Sequence, residues 1–330
     1  MTAPLLELQD VAVTYGNGVR AVDGVSLRLA RGETLAVVGE SGCGKSSLGK
    51  LAMRLVDPGA GRILFDGRDI TGLGRAALRP LRRRFQMIFQ DPFASLNPRM
   101  TVRTTLETQL AAQGIGTRGE RAVKVAAAAA RVGLDAAALE RYPHEFSGGQ
   151  RQRIGIARAL ILEPELVVCD EPVSALDVSI RAQILNLLMD LQAERGLAYL
   201  FISHDMGVVE HIADRVAVMY LGRLVEEAPA ARLFAAPAHP YTRALLAAVP
   251  QPDPRRRLAV EELASGDVPS PLAPPPGCHY HPRCRFATAL CAASRPALAP
   301  APGGGIVACH HADAIAAIPS HPVAPPVHAG

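Results

Sequence analysis

Residues 34–47 read TLAVVGESGCGKSS and join a short apolar run to a glycine-rich loop. The first five residues are apolar or β-branched, which is typical of a buried strand. After the loop, the stretch SLGKLAMRL places apolar residues at helical spacing. A strand, a glycine-rich loop and a helix in this order are the context that a phosphate-binding loop requires. We therefore predict a strand over 34–38, followed by a phosphate site.

The loop contains the groups that such a site needs. Its glycines allow consecutive backbone N–H groups to turn toward phosphate oxygens, and the following helix adds partial positive charge at its N-terminus. We expect Lys45 to reach the β- and γ-phosphates and Ser46 to bind Mg²⁺. Cys43 is interpreted as a small filler, because no base partner is visible near it in sequence. The candidate site comprises Gly39, Ser41, Gly42, Cys43, Gly44, Lys45, Ser46 and Ser47.

A second apolar run, Leu166–Cys169, ends in two carboxylates. Carboxylates at the C-terminal end of a parallel strand point toward the ligand crevice of an α/β sheet. We expect Asp170 to hold Mg²⁺, directly or through water, and Glu171 to act as the general base that polarises the attacking water. We predict that Cys169 packs in the core.

Composition limits the class of protein. The chain has 330 residues, and 35 basic against 31 acidic side chains give a net charge of +4. This balance and the absence of Trp do not favour nucleic-acid binding. The first residues, MTAPLLELQD, lack a basic region, so we expect no cleaved secretory signal. No apolar run is long enough to span a membrane.

Further motifs follow one another in a fixed order along the chain. Phe146 opens the stretch FSGGQRQRIGIARAL, which resembles the signature of ATP-binding cassette (ABC) ATPases. In the same register, Tyr15 matches the residue that stacks on adenine, Gln90 the Q-loop glutamine and His204 the switch histidine. The D-loop is matched by Ser174, Ala175, Leu176 and Asp177.

This resemblance implies an α/β fold. It consists of a RecA-like P-loop nucleotide-binding domain with an antiparallel β subdomain and a helical subdomain, followed by an irregular, Cys-containing C-terminal extension. We expect the ATPase domain at 1–235 with the helical insert near 91–158, the extension at 236–311, and a disordered tail at 312–330.

The resemblance also implies that a second subunit completes the site. A serine at a helix N-cap with exposed backbone N–H groups forms an anion site. In this family the signature motif faces the ATP of the partner subunit, so ATP joins two cassettes. Here the motif comprises Ser147, Gly148, Gly149 and Gln150. His204 is then expected to contact the γ-phosphate and to position the water with Glu171.

Three segments narrow the resemblance to the ATPase subunits of oligopeptide and dipeptide importers. They are residues 90–99 (QDPFASLNPR), 142–146 (YPHEF) and 239–245 (HPYTRAL). The implied partners are a second ATPase subunit (identical or a paralogue), two membrane permeases and an extracytoplasmic solute-binding protein, with no nucleic acid. The implied location is the cytoplasmic face of the inner membrane, as a peripheral subunit. Alternatives are import of nickel, glutathione or oligosaccharides by the same architecture, or a soluble ABC ATPase without a transport role.

Four cysteines lie in the Pro-rich extension: Cys278, Cys284, Cys291 and Cys309. In a chain that we expect to be cytoplasmic, such a group points to a metal before disulfides. The spacing C-x5-C-x6-C-x17-C differs from the C-x2-C pairs of zinc ribbons. It resembles the tail that carries a [4Fe–4S] cluster in some peptide-importer ATPases. Structural Zn²⁺, no stable metal, and a redox sensor that controls transport stay open as alternatives.

Overall fold

The structure is a computed structural model that describes residues 3–91, 95–249 and 266–318. The chain forms two compact units, each assembled from segments that are distant in sequence. The first unit comprises Met1–Leu6, Arg28–Glu33 and Leu64–Phe201, and the second comprises Glu7–Leu27, Thr34–Ile63 and Ile202–Gly330. The phosphate loop and the described part of the extension therefore belong to the same unit.

The second unit is built around strand β3 (Thr34–Val38), whose five residues are all buried. β3 pairs in parallel with β9 (Arg215–Tyr220), and β9 pairs antiparallel with β10 (Arg223–Pro229). Burial on both faces explains why β3 is uniformly apolar instead of alternating. Helix α1 (Lys45–Ala52) follows the loop, so the predicted strand, loop and helix are confirmed.

A second sheet in this unit orders its strands β2-β1-β4. These strands are β1 (Leu6–Thr14), β2 (Arg20–Leu29) and β4 (Ala60–Phe65). Buried positions alternate along much of β1, as expected when one face of a sheet is covered.

The first unit contains a parallel pair of strands and most of the long helices. β6 (Phe85–Ile88) pairs in parallel with β7 (Leu166–Asp170), and β8 (Ala198–Ser203) is the next strand in order. A short hairpin joins the end of β4 to β5 (Arg68–Asp69). The helices are α2 (Arg75–Arg82), α3 (Val102–Ala112), α4 (Arg118–Arg131), α5 (Gly148–Leu160) and α6 (Val178–Arg195).

The expected helical insert corresponds to α3, α4 and α5, with one-turn helices at Ala137–Glu140 and Pro143–Glu145. Each of the three long helices begins after a hydroxyl residue that accepts a backbone N–H bond, namely Thr101, Thr117 and Ser147. Such N-caps satisfy donors that have no partner within the helix. α5 ends two residues beyond the expected boundary at 158.

After β10 the extension is more regular than its composition indicates. It contains β11 (Ala299–Pro300) and β12 (Ile306–Val307), which the sequence does not predict. β12 pairs antiparallel with β10, matching Val307 to Glu226 and Ile306 to Glu227. In the described part of the second unit, the remaining helices are α7 (Met206–Ile212), α8 (Ala230–Ala235), α9 (Pro240–Ala247), a one-turn helix at His281–Arg283, α10 (Ala289–Ala293) and α11 (Ala312–Ala316).

The expected disordered tail begins too early. Residues 312–318 are described, and α11 buries Ile315 to 1% exposure. Two backbone carbonyls, of Ile315 and Ile318, accept hydrogen bonds from the Arg243 guanidinium. These contacts explain why this segment has a defined conformation, because they satisfy carbonyl groups at the end of the helix. The rest of the expected tail, 319–330, lies outside the described residues. Among the described residues, no helix is long and apolar enough to cross a membrane.

A buried carboxylate ties the start of the extension to the sheet. Glu226 on β10 is fully buried and accepts backbone N–H bonds from Ala238 at 2.8 Å and His239 at 2.9 Å. It also pairs with the Arg232 guanidinium. Its partners therefore compensate the desolvation of the charge, and they fix where α9 begins.

We expect Glu226→Ala to lower the free energy of unfolding by about 3–5 kcal/mol, because it removes the carboxylate partner of Arg232 Nη1 and leaves two buried N–H groups without their acceptor. Urea unfolding followed by circular dichroism measures the change. The control is Glu140→Ala, which removes an ion pair between exposed side chains and should cost about 1 kcal/mol or less. Equal losses in the two variants would contradict a special role of Glu226.

Candidate active site

The phosphate loop packs directly on backbone atoms of the second unit. A Cβ atom built on Gly44 would lie 1.9 Å from the Ala21 carbonyl oxygen, and one built on Gly39 would lie 2.2 Å from that of Met219. Both glycines also have positive φ angles, 106° and 152°. Any side chain at these positions would collide with backbone that cannot rotate away. The glycines therefore set how closely the loop approaches its neighbours.

The polar groups of the loop are held by short contacts. Lys45, at the start of α1, donates from Nζ to the carbonyl oxygens of Gly39 at 2.8 Å and Glu40 at 2.9 Å. The hydroxyl of Tyr15 donates to Ser47 Oγ at 3.1 Å, which places the aromatic residue at the loop. The Tyr15 side chain is 37% exposed, so its ring has a face available for a ligand.

Cys43 is a buried residue that fills space in the loop, as its sequence context indicates. It is 4% exposed, and its carbonyl oxygen accepts the Gly222 N–H at 2.9 Å. Burial raises the pKa of its thiol, although the nearby Lys45 ammonium acts in the opposite direction. The thiol therefore stays protonated near neutral pH, and a protonated thiol is a poor nucleophile.

In the first unit, β7 ends at the two predicted carboxylates. Asp170 is buried at the last position of the strand, and Glu171 follows with a left-handed φ of 46°. Such a conformation is uncommon for a residue with a Cβ atom and is concentrated at functional sites. Gln90 Nε2 donates to Glu171 Oε2 at 2.8 Å, so the structure brings two of the predicted site residues together.

The signature motif forms the N-terminus of α5. Ser147 Oγ accepts the Gln150 N–H at 3.3 Å, and Gln150 Oε1 accepts the Ser147 N–H at 3.0 Å. This reciprocal capping box confirms the predicted N-cap. Gly149 is required by packing, since a Cβ there would lie 2.5 Å from the Ile180 side chain.

The predicted D-loop lies beside both the acidic strand and the signature. Ser174 donates from its N–H and from Oγ to the Glu171 carbonyl oxygen, at 3.3 and 3.1 Å. A Cβ on Gly148 would lie 3.8 Å from Leu176, so the D-loop packs on the signature helix. Asp177 is the N-cap of α6, and Ala175 is exposed.

His204, which matches the switch histidine, lies directly after β8, and its side chain is exposed. It belongs to the second unit, as does the phosphate loop. Asp205 then caps α7 by accepting the N–H groups of Gly207 and Val208. The histidine therefore occupies the turn between a buried strand and a capped helix, which fixes its backbone position.

The four cysteines of the extension line one narrow cavity, although they are spread over 32 residues of sequence. Tyr280 and His310 complete part of its wall. Burial raises the pKa of Cys284 to about 11 and that of Cys309 to about 12, and it also raises the pKa of Cys278. Among the described residues, no group of three or more His, Cys, Asp or Glu side chains is arranged to hold a metal ion.

Three side chains that contact the loop or its surroundings were not predicted from the sequence: Arg283, Tyr241 and Tyr220. Arg283 forms an ion pair with Glu40, and the Tyr241 hydroxyl accepts the Glu40 N–H. The local signal was an acidic residue within a loop expected to hold phosphate. An uncompensated carboxylate would repel that ligand, so a nearby cation was to be expected.

We expect Gly44→Ala to weaken binding of a nonhydrolysable MgATP analogue about 100-fold, because a displacement near 1 Å misaligns the loop. Isothermal titration measures the affinity. The control is Gly155→Ala in α5, where a Cβ would meet no atom within 4 Å; it should leave affinity unchanged and stabilise the helix by up to about 1 kcal/mol. Unchanged affinity in Gly44→Ala would contradict the close-packing argument.

Comparison with family models gives two matches along the chain. The ABC transporter model matches residues 22–174, and the model for the oligopeptide/dipeptide transporter C-terminal region matches residues 225–291. The first match includes the phosphate loop, the signature and the acidic strand, and the second includes three of the four extension cysteines.

Individual relatives extend the similarity over most of the chain. A probable peptide ABC transporter ATP-binding protein of Sinorhizobium fredii is 56% identical over 88% of this chain and 82% of its own length. An oligopeptide transport ATP-binding protein of Bacillus subtilis is 53% identical over 93% of this chain and 97% of its own. A dipeptide transport ATP-binding protein of Haemophilus influenzae is 51% identical over 89% of this chain and 90% of its own.

Solved structures support the same fold. cbiO1 of Clostridium perfringens, part of an ABC transporter complex, superposes with a TM-score of 0.64 at 30% identity, over 71% of this chain and 91% of its own. A dimeric ATP-binding cassette in a post-hydrolysis state, bound to ADP and Pi, superposes with a TM-score of 0.63 at 28% identity, over 68% and 98%. The expected α/β nucleotide-binding fold is thus confirmed. The chain belongs to the ABC ATPase family, in the branch whose members carry the oligopeptide/dipeptide transporter C-terminal region.

Proposed function

We propose that this ABC ATPase drives the import of di- and oligopeptides through separate membrane permeases. The observation that carries the proposal is the similarity, over 88–93% of the chain, to ATP-binding proteins named for peptide transport. The matching C-terminal region, in which Pro240 opens α9 after the His239 cap, supports the same cargo class. Nickel, glutathione and oligosaccharides are the alternative cargoes for this architecture.

Each motif residue has a proposed role in hydrolysis. Gly39 and the loop residues from Ser41 to Ser47 hold the phosphates through backbone N–H groups and Lys45, while Tyr15 stacks on adenine. Ser46 and Asp170 hold Mg²⁺, which neutralises charge on the β- and γ-phosphates when bound. Glu171 accepts the proton of the attacking water, and Gln90 and His204 position the reacting groups.

We further propose that two ATPase subunits, identical or paralogous, close on ATP through the signature and D-loop residues. The exposed N-terminus of α5 supports this role, because its backbone N–H groups and capping serine suit an anionic ligand. The dimeric cassette in the post-hydrolysis state supports a paired arrangement. The proposed assembly adds two permeases and a solute-binding protein and places the chain at the cytoplasmic face of the inner membrane.

We assign the proposed functions to the domain ranges expected from the sequence. Residues 1–235 act as the ATPase and include the helical insert near 91–158, and residues 236–311 form the extension. The segment after Gln90 receives the permease. Part of the expected permease contact, residues 92–94, lies outside the described residues.

We expect Glu171→Gln to reduce ATP turnover by about 10²–10⁴-fold, because it removes the general base. Binding should persist, so the variant should accumulate as an ATP-bound dimer. Phosphate release measures turnover, and size-exclusion chromatography with MgATP detects the dimer. The control is Glu163→Gln, an exposed carboxylate that pairs with Lys124. Normal steady-state hydrolysis by Glu171→Gln would eliminate this residue as the base.

We propose that the four extension cysteines bind a [4Fe–4S] cluster. A four-iron cluster takes one thiolate per iron, and the four cysteines supply four thiols that line one cavity. The cluster would hold the extension together. The raised pKa values mean that loading must displace thiol protons, so affinity should increase with pH.

We expect about four irons and four sulfides per chain after anaerobic purification, with both lost in Cys284→Ser. Iron, acid-labile sulfide and zinc assays measure this directly, together with the visible spectrum. Cys169→Ala is the matched control, because Cys169 lies in β7 and is not among the residues that line the cavity. About one zinc per chain without sulfide would overturn the cluster in favour of a structural zinc site.

A further inference from the structure

The extension reaches into the phosphate loop through a charged side chain. Arg283 Nη1 donates to Glu40 Oε2 at 2.7 Å, and Nη2 donates to Glu40 Oε1 at 2.9 Å. Two parallel bonds of this kind fix both the position and the orientation of a carboxylate. Glu40 is the second residue of the loop, and 243 residues separate the partners. The Arg283 side chain is only 7% exposed, so water screens the pair weakly.

A second extension residue holds the backbone of the same loop residue. The Tyr241 hydroxyl accepts the Glu40 N–H at 2.7 Å, and Tyr241 is fully buried. Its ring packs against Tyr220 and Tyr280, with centroid distances of 4.7 and 5.3 Å. Because the three rings pack on one another, the hydroxyl has little freedom to move. Arg283 lies beside this cluster, 5.9 Å from the Tyr220 ring centroid.

Nucleotide binding would affect the contacts that hold Glu40 in different ways. Its carbonyl oxygen accepts from Lys45 Nζ at 2.9 Å, and its N–H and carboxylate are held by Tyr241 and Arg283. When Lys45 turns to the phosphates of ATP, its bond to the carbonyl oxygen is lost, while the Cys43 N–H still donates to that oxygen at 3.3 Å. The two restraints supplied by the extension would then continue to hold the N–H and the carboxylate of Glu40.

The position of Arg283 has an energetic cost. Its Nε is buried without a hydrogen-bond partner among the described residues. A partly buried ion pair with an unsatisfied donor is not an efficient source of stability, since apolar packing of similar volume often serves as well. Such an ion pair is more effective at positioning the Glu40 carboxylate and at neutralising its charge.

We propose that Arg283 and Tyr241 are positioning residues of the ATP site, which makes the extension a part of that site. Arg283 orients Glu40 and neutralises a carboxylate that would otherwise repel bound phosphate. Tyr241 anchors the Glu40 backbone. The inference rests on the proposed binding of MgATP by the loop, and it adds that ATP affinity depends on residues outside the sequence motifs of the cassette.

The test compares affinity for a nonhydrolysable MgATP analogue in the full chain by isothermal titration. Arg283→Met keeps the volume of the side chain and should weaken binding about tenfold, which corresponds to about 1.4 kcal/mol. Tyr241→Phe keeps the ring and should weaken binding about fivefold. In the turnover assay, both changes should raise KM for ATP more than they lower kcat.

The discriminating variant is the double substitution Glu40→Gln with Arg283→Met. Removing the carboxylate relieves the repulsion, so affinity should recover to within about threefold of Glu40→Gln alone. A purely structural loss would not be rescued in this way. Arg84→Met is the matched control, because Arg84 also bonds to two carboxylates, those of Glu165 and Asp66, in the first unit. It should leave affinity unchanged.

The outcomes separate this inference from the proposed function. A wild-type chain that binds no MgATP would overturn the proposed function, and the inference with it. A wild-type chain that binds, with Arg283→Met and Tyr241→Phe binding equally well, would overturn the inference alone. Equal weakening in Arg84→Met, or no rescue in the double variant, would also overturn it. If Arg283→Met fails to fold, Tyr241→Phe, which removes one hydroxyl, decides the question.

Discussion

The phosphate loop lies so close to its neighbours that only hydrogen atoms fit at two of its glycines. The carbonyl oxygens of Ala21 and Met219 occupy the space that side chains at Gly44 and Gly39 would need. This steric constraint fixes the loop relative to β2 and β9, which in turn sets where α1 begins and where Lys45 and Tyr15 meet the loop. A residue with a Cβ atom at either position would displace all of these groups together.

Much of the site was predictable because its signals are local. The apolar runs before Gly39 and Asp170 are strands in the structure, with ends within one residue of the expected positions. Ser147 is a helix cap, and Pro240 opens a helix, because their chemistry acts over one turn. Local patterns of this kind depend on backbone geometry and little on the rest of the fold.

The contacts that join the extension to the sheet were not predictable in the same way. Glu226 binds residues 12 and 13 positions later, and Arg283 reaches back 243 positions to Glu40. β12 is two residues long and owes its extended form to pairing with β10, so no sequence period marks it. The cysteines could be counted from sequence, but only the fold shows that they surround one cavity.

The pairing of β12 with β10 also has a consequence for solubility. A strand at the edge of a sheet exposes unpaired N–H and C=O groups that can recruit a strand from another molecule. β12 pairs with Glu226 and Glu227 of β10 and so covers part of that side, and β11 pairs with β12 in turn. β11 ends in Pro300, which has no N–H to offer, so the new edge is short and blunted. The extension therefore reduces the number of unpaired backbone groups through which the sheet that carries the phosphate loop could aggregate.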